Sequence, residues 1–432
     1  MSYLSYKDSG TTWLGKIPQN WEAKRLKYII TYNDESLPET TRPDRIINYV
    51  DISSVSLMHG IENVDRYEFD QAPSRARRIV KNGDTILSTV RTYLKAIALI
   101  KGDIENLIVS TGFMVIRPTP KVDSIFLNYF MQSEAFIGEI VARSVGVSYP
   151  AINPSEVAKI ESVIPPLNEQ RHIAIFLDKK TSELDALIAK KQKLIQLLEE
   201  KRSALIAQTV TKGLEPNLPM KDSGVNWLGK IPDCWDLKRI KFYVRSINKK
   251  IHYENTKLPY LGLENIESWT GKKIEDDSVS SEGVVCCFEA KDVLFGKLRP
   301  YLAKTYLAKD DGTCSTEFLV FRPCAYVDPE YLQYFLLSPK FINTVNASTY
   351  GAKMPRANWE FIANLYLTCP SLLVQKQIIQ FLNDETVKID LIKTKIKDAI
   401  ERLKEYRAAL ITNAVTGKIA LTAEKDKRFA YE

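Results

Sequence analysis

Two long stretches of the chain contain neither glycine nor proline and set apolar residues three, four and seven apart. From Asn168 to Lys212 the stripe runs through Ile173, Phe176, Leu177, Leu184, Leu187, Leu194, Leu198 and Leu205, with Lys, Glu, Gln and Asp between them. That spacing predicts one amphipathic helix. Pro165-Pro166, Asn168 as N-cap and Glu169 in the first turn mark its start, and Gly213 its stop. From Leu372 to Thr416 the pattern returns through Ile378, Leu382, Ile389, Ile392, Ile396, Ile400, Leu403 and Leu410, ending at Gly417. At 1.5 Å per residue each helix would be roughly 67 Å long, more than a small domain can cover. An antiparallel pair, burying the two stripes against each other with one globular domain at each end, is the simplest arrangement.

The remainder is short β-rich runs broken by Gly, Pro, Asn and Asp, and it is written twice. Residues 8–28 recur at 222–242 with 13 identities in 21 positions. DTILSTVRTYL (84–94) answers DVLFGKLRPYL (292–302), and STGFMVIRP (110–118) answers STEFLVFRP (315–323). Strands are predicted over 45–52, 85–90, 96–100 and 113–116 with a helix over 124–141. The second copy repeats the scheme at 259–263, 293–295, 318–321 and a helix over 328–345. Too few helices precede residue 120 for a doubly wound nucleotide-binding sheet. The expectation is a mixed α/β (α+β) chain with a twisted mixed sheet in each copy. Its domains would be 1–166, a helix 167–213, 214–371, a helix 372–417 and a weakly ordered tail 418–432, or a tail packed back beside the N-terminus.

Composition narrows the function. The 432 residues hold 60 Lys and Arg against 53 Asp and Glu, a net charge of +7 that permits a polyanionic partner without requiring one. No apolar run reaches membrane-spanning or signal-peptide length, so a cytoplasmic protein is expected. The six cysteines show no C-x-x-C spacing and read as reduced, packed thiols. Gly10 to Lys16 and Gly224 to Lys230 match G-x-x-x-x-G-K, but Ile-Pro follows where a phosphate-binding loop needs Ser or Thr. A turn whose Trp packs on the domain is the better reading. Glu289-Ala-Lys291 downstream of Asp276-Asp277 imitates a metal-dependent nuclease core, yet its counterpart Lys81-Asn-Gly83 has no carboxylate. His59, His172 and His252 lack ligand-spaced partners, and no catalytic set or metal site is expected.

What recurs is a basic, hydroxyl and aromatic mixture at turn-rich places. In the first copy it comprises Arg75, Arg77, Arg78, Arg91, Tyr93, Lys95, Ser148 and Tyr149. In the second it comprises Lys297, Arg299, Tyr301, Lys304, Lys353 and Arg356. Arg and Lys suit phosphates and the guanine edge, and Ser and Tyr add phosphate hydrogen bonds. Residues 29–80 and 243–290 share almost nothing between matching flanks. Two halves with one scaffold and different variable segments would read two different half-sites.

At this point the chain resembles the specificity subunit of type I restriction-modification systems over nearly its whole length. The resemblance is carried by the paired W-L-G-K-I-P openings, the R-x-Y-L segments at Arg91 and Arg299, the S-T-x-F-x-V-x-R-P strands, and Ile164-Pro-Pro-Leu-Asn-Glu-Gln170 before the first long helix. The second copy departs from the last, reading Cys369-Pro-Ser-Leu-Leu-Val-Gln375. The resemblance implies two target-recognition domains with pseudo-two-fold symmetry, separated by two long antiparallel helices forming a coiled coil that acts as a ruler. Each domain would read half of a bipartite double-stranded DNA target, through 29–95 with 143–153 and through 243–304 with 346–358. It also implies two modification (methyltransferase) subunits carrying S-adenosylmethionine, and two restriction (motor-nuclease) subunits using ATP and Mg, with no cofactor on this chain. Gln170, Ile173, Leu177, Gln375, Ile378 and Leu382 would lie on the partner-binding helix surface. The competing expectation is a duplicated protein-interaction scaffold without DNA specificity.

Overall fold

A computed structural model describes residues 3–274, 282–349 and 353–421. The chain forms two compact units, residues 1–191 with 398–432 and residues 192–397. In unit 1 the strands of the larger sheets are β1 (Ile30–Tyr32), β2 (Ile46–Val50), β3 (Asp65–Glu68), β4 (Ala76–Ile79), β5 (Thr85–Ser88), β6 (Ile97–Leu99), β7 (Leu107–Ser110) and β8 (Phe113–Pro118). Among the described residues they make two four-stranded sheets, ordered β6-β5-β8-β1 and β3-β2-β7-β4. The first is antiparallel, and the second holds one parallel pair, β2 with β7. This replaces the single mixed sheet expected per copy. The reason is burial: every residue of β5 and β7 is buried, and a strand covered on both faces needs a second layer.

Unit 2 repeats the plan. The strands of its larger sheets are β9 (Val244–Ile247), β10 (Lys250–His252), β11 (Tyr260–Leu261), β12 (Val284–Phe288), β13 (Val293–Gly296), β14 (Thr305–Leu307), β15 (Gly312–Cys314) and β16 (Phe318–Pro323). They are ordered β9-β16-β13-β14 and β10-β12-β15-β11, again with one parallel pair, β11 with β15. The motif residues Asp84 and Arg117 form a two-pronged ion pair at 2.9 and 2.8 Å inside unit 1, and Asp292 and Arg322 do so at 2.8 Å in unit 2. Asp84 and Asp292 are almost fully buried, so the R of S-T-x-F-x-V-x-R-P is a structural residue.

The helix expected over 124–141 is two helices, α1 (Ser124–Gln132) and α2 (Glu134–Arg143). Buried Ser133 takes an extended conformation between them and its Oγ accepts from Phe136 N–H, capping α2. The long helix α3 (Leu167–Lys212) follows. In unit 2 the break repeats between α4 (Pro329–Leu336) and α5 (Pro339–Ala347), where Pro339 opens the new helix, and α6 spans Leu372–Val415. The Pro166 carbonyl accepts from Gln170 N–H at 3.0 Å, so α3 is capped at Pro166 and Asn168 already lies in its first turn. Gly213 and Gly417 leave the two helices with φ of +79° and +73°.

Within unit 2, Glu199 of α3 meets Lys393 of α6 at 2.7 Å and Arg202 meets Asp390 at 2.7 Å. Three residues forward on one helix match three back on the other, so the two run antiparallel. Within unit 1, Arg407 of α6 meets Asp185 of α3 at 2.9 Å.

The W-L-G-K-I-P openings are structural, as the sequence suggests. Trp13 packs on Phe130, with ring centroids 6.4 Å apart, and Trp227 on Phe335 at 6.2 Å. The second Trp of each opening packs on a helix end: a Cβ at Gly417 would clash with Pro18 and lie 3.2 Å from Trp21, and one at Gly213 would lie 3.2 Å from Trp235. The described tail residues Ile419 and Leu421 pack on the same core as Trp21, while 422–432 lie outside the described residues. All six cysteines are free, and Cys234 is exposed rather than packed.

Candidate nucleic-acid interface

The candidate residues of unit 1 converge through backbone hydrogen bonds on one rim. Thr111 N–H donates to the Arg75 carbonyl, Thr89 N–H to Gly112, Ile152 N–H to Thr89 and Arg91 N–H to Pro150, at 2.7–2.9 Å. Four segments far apart in sequence are thereby tied edge to edge. Thr92–Leu94 form a single helical turn framed by Arg91 and Lys95, both left-handed at φ of +51° and +53°. Left-handed backbone costs a residue with a Cβ about 1 kcal/mol. At Arg91 it aims the guanidinium across the rim, 4.5 Å from the Tyr149 ring centroid. Arg91, Tyr93, Ser148 and Tyr149 are all exposed. Lys95 is half-buried and pairs with Glu134 at 2.9 Å.

Unit 2 builds the same rim. Arg299 N–H donates to Pro355 at 2.8 Å, Lys297 N–H to Glu317 and Ala357 N–H to Lys297 at 2.9 Å. Pro300–Leu302 form the turn, framed by Arg299 and Ala303 at φ of +50° and +47°. Arg356 pairs with Glu317 at 3.1 Å, and Tyr301 and Lys353 are exposed. Glu317 stands where unit 1 has Gly112, so the matched rims present different charges. Sequence reasoning missed Glu317, although it is the one radical mismatch within the otherwise matching blocks STGFMVIRP and STEFLVFRP.

Several sequence-predicted residues are committed elsewhere. Lys304 Nζ donates to the Leu263 carbonyl at 2.7 Å in a half-buried position, and burial pushes its ammonium below the usual lysine range. Its charge holds a loop of its own domain, which corrects its assignment to DNA. Arg77 stacks 4.7 Å over Phe69 and donates to the Ala76 carbonyl. Arg78 is half-buried with its Nε enclosed and unpartnered, and burial lowers its pKa. Of the Arg75–Arg78 cluster, Arg75 alone is exposed. Residues 275–281, including Asp276 and Asp277, and 350–352 fall inside the expected variable segments but outside the described residues.

The six helix residues expected to face partners do not. Gln170, Ile173, Leu177, Gln375, Ile378 and Leu382 are fully buried in the cores of their own units. The Gln170 side chain accepts from Asp123 N–H at 2.8 Å and donates to the Pro165 and Lys121 carbonyls; Gln375 does the same with Asp328, Pro370 and Tyr326. Helical periodicity identified the apolar face but not the core it enters. The apolar residues left exposed on α3 and α6 are others, among them Leu187, Leu194, Leu197, Val387, Leu391 and Ile392.

Among the described residues no group of three or more His, Cys, Asp and Glu side chains is arranged to hold a metal ion, and no helix is long and apolar enough to cross a membrane. Comparison with known proteins agrees with the duplication. The family model described as the type I restriction modification DNA specificity domain matches residues 18–198 and again 241–402. The type I restriction enzyme MjaVIII specificity subunit of Methanocaldococcus jannaschii is 23% identical over 94% of this chain and 94% of its own length. The EcoDI specificity subunit of Escherichia coli is 22% identical over 66% of this chain and 68% of its own. A chain from a structure of a type I R-M system superposes with a TM-score of 0.73 at 22% identity, over 93% of this chain and 99% of that one. The HsdS subunit from Thermoanaerobacter tengcongensis gives 0.52 at 22% identity, over 93% and 98%.

Proposed function

The chain belongs to the type I restriction-modification DNA specificity family, and from that footing we propose that each unit reads one half of an asymmetric, bipartite double-stranded DNA target. The observation that carries this is the duplicated rim: one backbone frame in both units, with different side chains on it. A symmetric protein makes equal contacts and reads a palindrome, whereas unequal rims select unequal half-sites.

Arg91 and Arg299 are the central contacts of this reading, with Tyr93, Ser148 and Tyr149 in unit 1 and Lys297, Tyr301, Lys353 and Arg356 in unit 2. Exposed Arg75 and half-buried Lys95 extend the first rim toward the phosphates. The chain itself is the non-catalytic recognition subunit, working in the cytoplasm. Chemistry belongs to its partners: two modification subunits with S-adenosylmethionine methylate adenine in each half-site, and two motor-nuclease subunits use ATP and Mg. Exposed Leu187, Leu194, Leu197, Val387 and Leu391 on the long helices are suited to covering by those partners.

Long-read sequencing of methylated adenines in the source strain, with this reading frame intact and then deleted, tests the proposal. One gapped, asymmetric motif should lose methylation on both strands. An unchanged methylome in a strain with an active partner methyltransferase would overturn it.

A further inference from the structure

Unit 1 contains an open cleft of about 730 Å³ whose counterpart in unit 2 is bridged by that unit's own chain. One wall is α1 and the long helices, with Asn128, Gln132, Asp178, Asp185 and Arg407; the other is the hairpin around His59. Asn128, 6 % exposed, and Gln132 both line the cleft, and the side-chain oxygen of each is enclosed without a hydrogen-bond partner. A buried acceptor left unpaired is destabilising.

Strand register fixes the counterpart. Val50 opposes Val109 in the parallel pair of unit 1, as Leu261 opposes Cys314 in unit 2. Ten residues on, Gly60 and Gly271 both turn with positive φ, +69° and +73°. In unit 2 this loop reaches the helices. The Gly271 carbonyl accepts from Gln333, the counterpart of Asn128, at 3.2 Å, and the Thr270 carbonyl from Arg202, the counterpart of Arg407, at 3.5 Å. Lys272 Nζ lies 2.5 Å from Asp390, the counterpart of Asp185. In unit 1 the loop bonds to itself: His59 N–H donates to Ser56 Oγ, and Ile61 stands in the ladder opposite Val55. The second unit closes its ladder one residue later, Ile266 opposite Lys273, which frees Lys272 for the helix.

We propose that the cleft of unit 1 is the docking site for a lysine-bearing peptide segment of another protein chain, which takes the place that Trp269–Lys272 fills in unit 2. The segment supplies a second cation for Asp185, which Arg407 already holds, and carbonyls placed as those of Thr270 and Gly271 are in unit 2. The cleft is of peptide size and sets Asp178 and Asp185 beside Lys101 and Arg407, so a segment that offers both an ammonium and backbone carbonyls fits it. The inference does not rest on the reading of DNA by the rims.

The test uses the full-length chain and a synthetic, end-blocked peptide of its own residues 268–273, Ser-Trp-Thr-Gly-Lys-Lys. Binding followed by carbodiimide coupling and mass spectrometry should join a peptide lysine to Asp178 or Asp185. Ser182→Trp, at an exposed position on the cleft wall, should lower coupling about tenfold, and a norleucine peptide, which has no amine to couple, should fail to compete with the lysine peptide at equal concentration. Val64→Trp, on the opposite wall, supplies the same block should the first variant fail to fold. Coupling that ignores the blocking variants, equal competition by the norleucine peptide, or no saturable coupling at these two carboxylates overturns the proposal. Displacement of the peptide by an equal concentration of spermidine would also overturn it in favour of a small-cation site.

Discussion

Arg407 holds Asp185 through two hydrogen bonds, at 2.9 and 3.3 Å, where the last third of α6 passes the middle of α3. Arg202 and Asp390 are the same two positions carried 205 residues through the internal repeat with the roles of the helices exchanged, and they too are paired, at 2.7 Å. One sequence element thus supplies the cation in one unit and its repeat the anion. Arg202 is only 5 % exposed. Removing Asp390 would leave that guanidinium buried and unpaired, so Asp390→Leu should destabilise the fold by about 3–5 kcal/mol in urea unfolding. Replacing both with apolar residues should recover most of the loss. Equal cost for the single and double variants would show that the pair acts through packing alone.

The same pair predicts a pH response. Burial raises the Asp390 carboxyl, but hydrogen bonds and charge from Lys272 and Arg202 outweigh it and hold the group below its usual range. A depressed folded pKa contributes stability that is fully present above the ordinary carboxylate value and is lost as pH falls through the folded one. Thermal stability of Asp390→Asn and of the parent should therefore differ most above about pH 4 and converge in more acidic solution. A difference that grows as pH falls would contradict this assignment.

Two arginines of the shared motifs should respond in opposite ways. Arg117 is locked on buried Asp84, so Arg117→Met should destabilise by about 3 kcal/mol yet leave the salt dependence of DNA binding by the folded protein unchanged. Arg91→Ala should weaken DNA binding and reduce the slope of log affinity against log salt by about 1, with little loss of stability. Filter binding across a salt series distinguishes them.

Backbone strain gives a third handle on the rim. Arg91→Gly and Arg91→Ala both remove the guanidinium, but glycine accepts φ of +51° freely. The glycine variant should be more stable than the alanine one by about 1 kcal/mol while binding DNA no better. Better binding by glycine would mean that loop flexibility, and not the side chain, limits contact.

The duplication and the two long helices were legible because they rest on long-range identity and sustained periodicity, which need no tertiary knowledge. The turn role of W-L-G-K-I-P was also legible, from a proline placed where a phosphate loop needs a hydroxyl. The second sheet of each unit was not. β3, β4 and β10 lie in the segments that differ between copies, and strands of three or four residues carry too little alternation to separate from loops. Gln170 and Leu177 were misassigned outward because an apolar stripe does not say whether it meets a partner or its own domain. Lys304 was misread because a lysine in a basic run gives no sign that a carbonyl has captured it. The asymmetric cleft was invisible for a related reason: it depends on a one-residue shift in a ladder, which the alignment of the copies does not reveal.

The account rests most heavily on each unit reading its own half-site. Exchange of residues 1–166 for those of another family member replaces the first domain together with its core and keeps Ile173 and Leu177 of α3 and Ile411 and Val415 of α6 in place. Methylated-adenine mapping of a strain carrying that chimera, with native partner subunits, should show one half of the target replaced, the other half retained and the gap between them unchanged. A target altered in both halves would contradict the account.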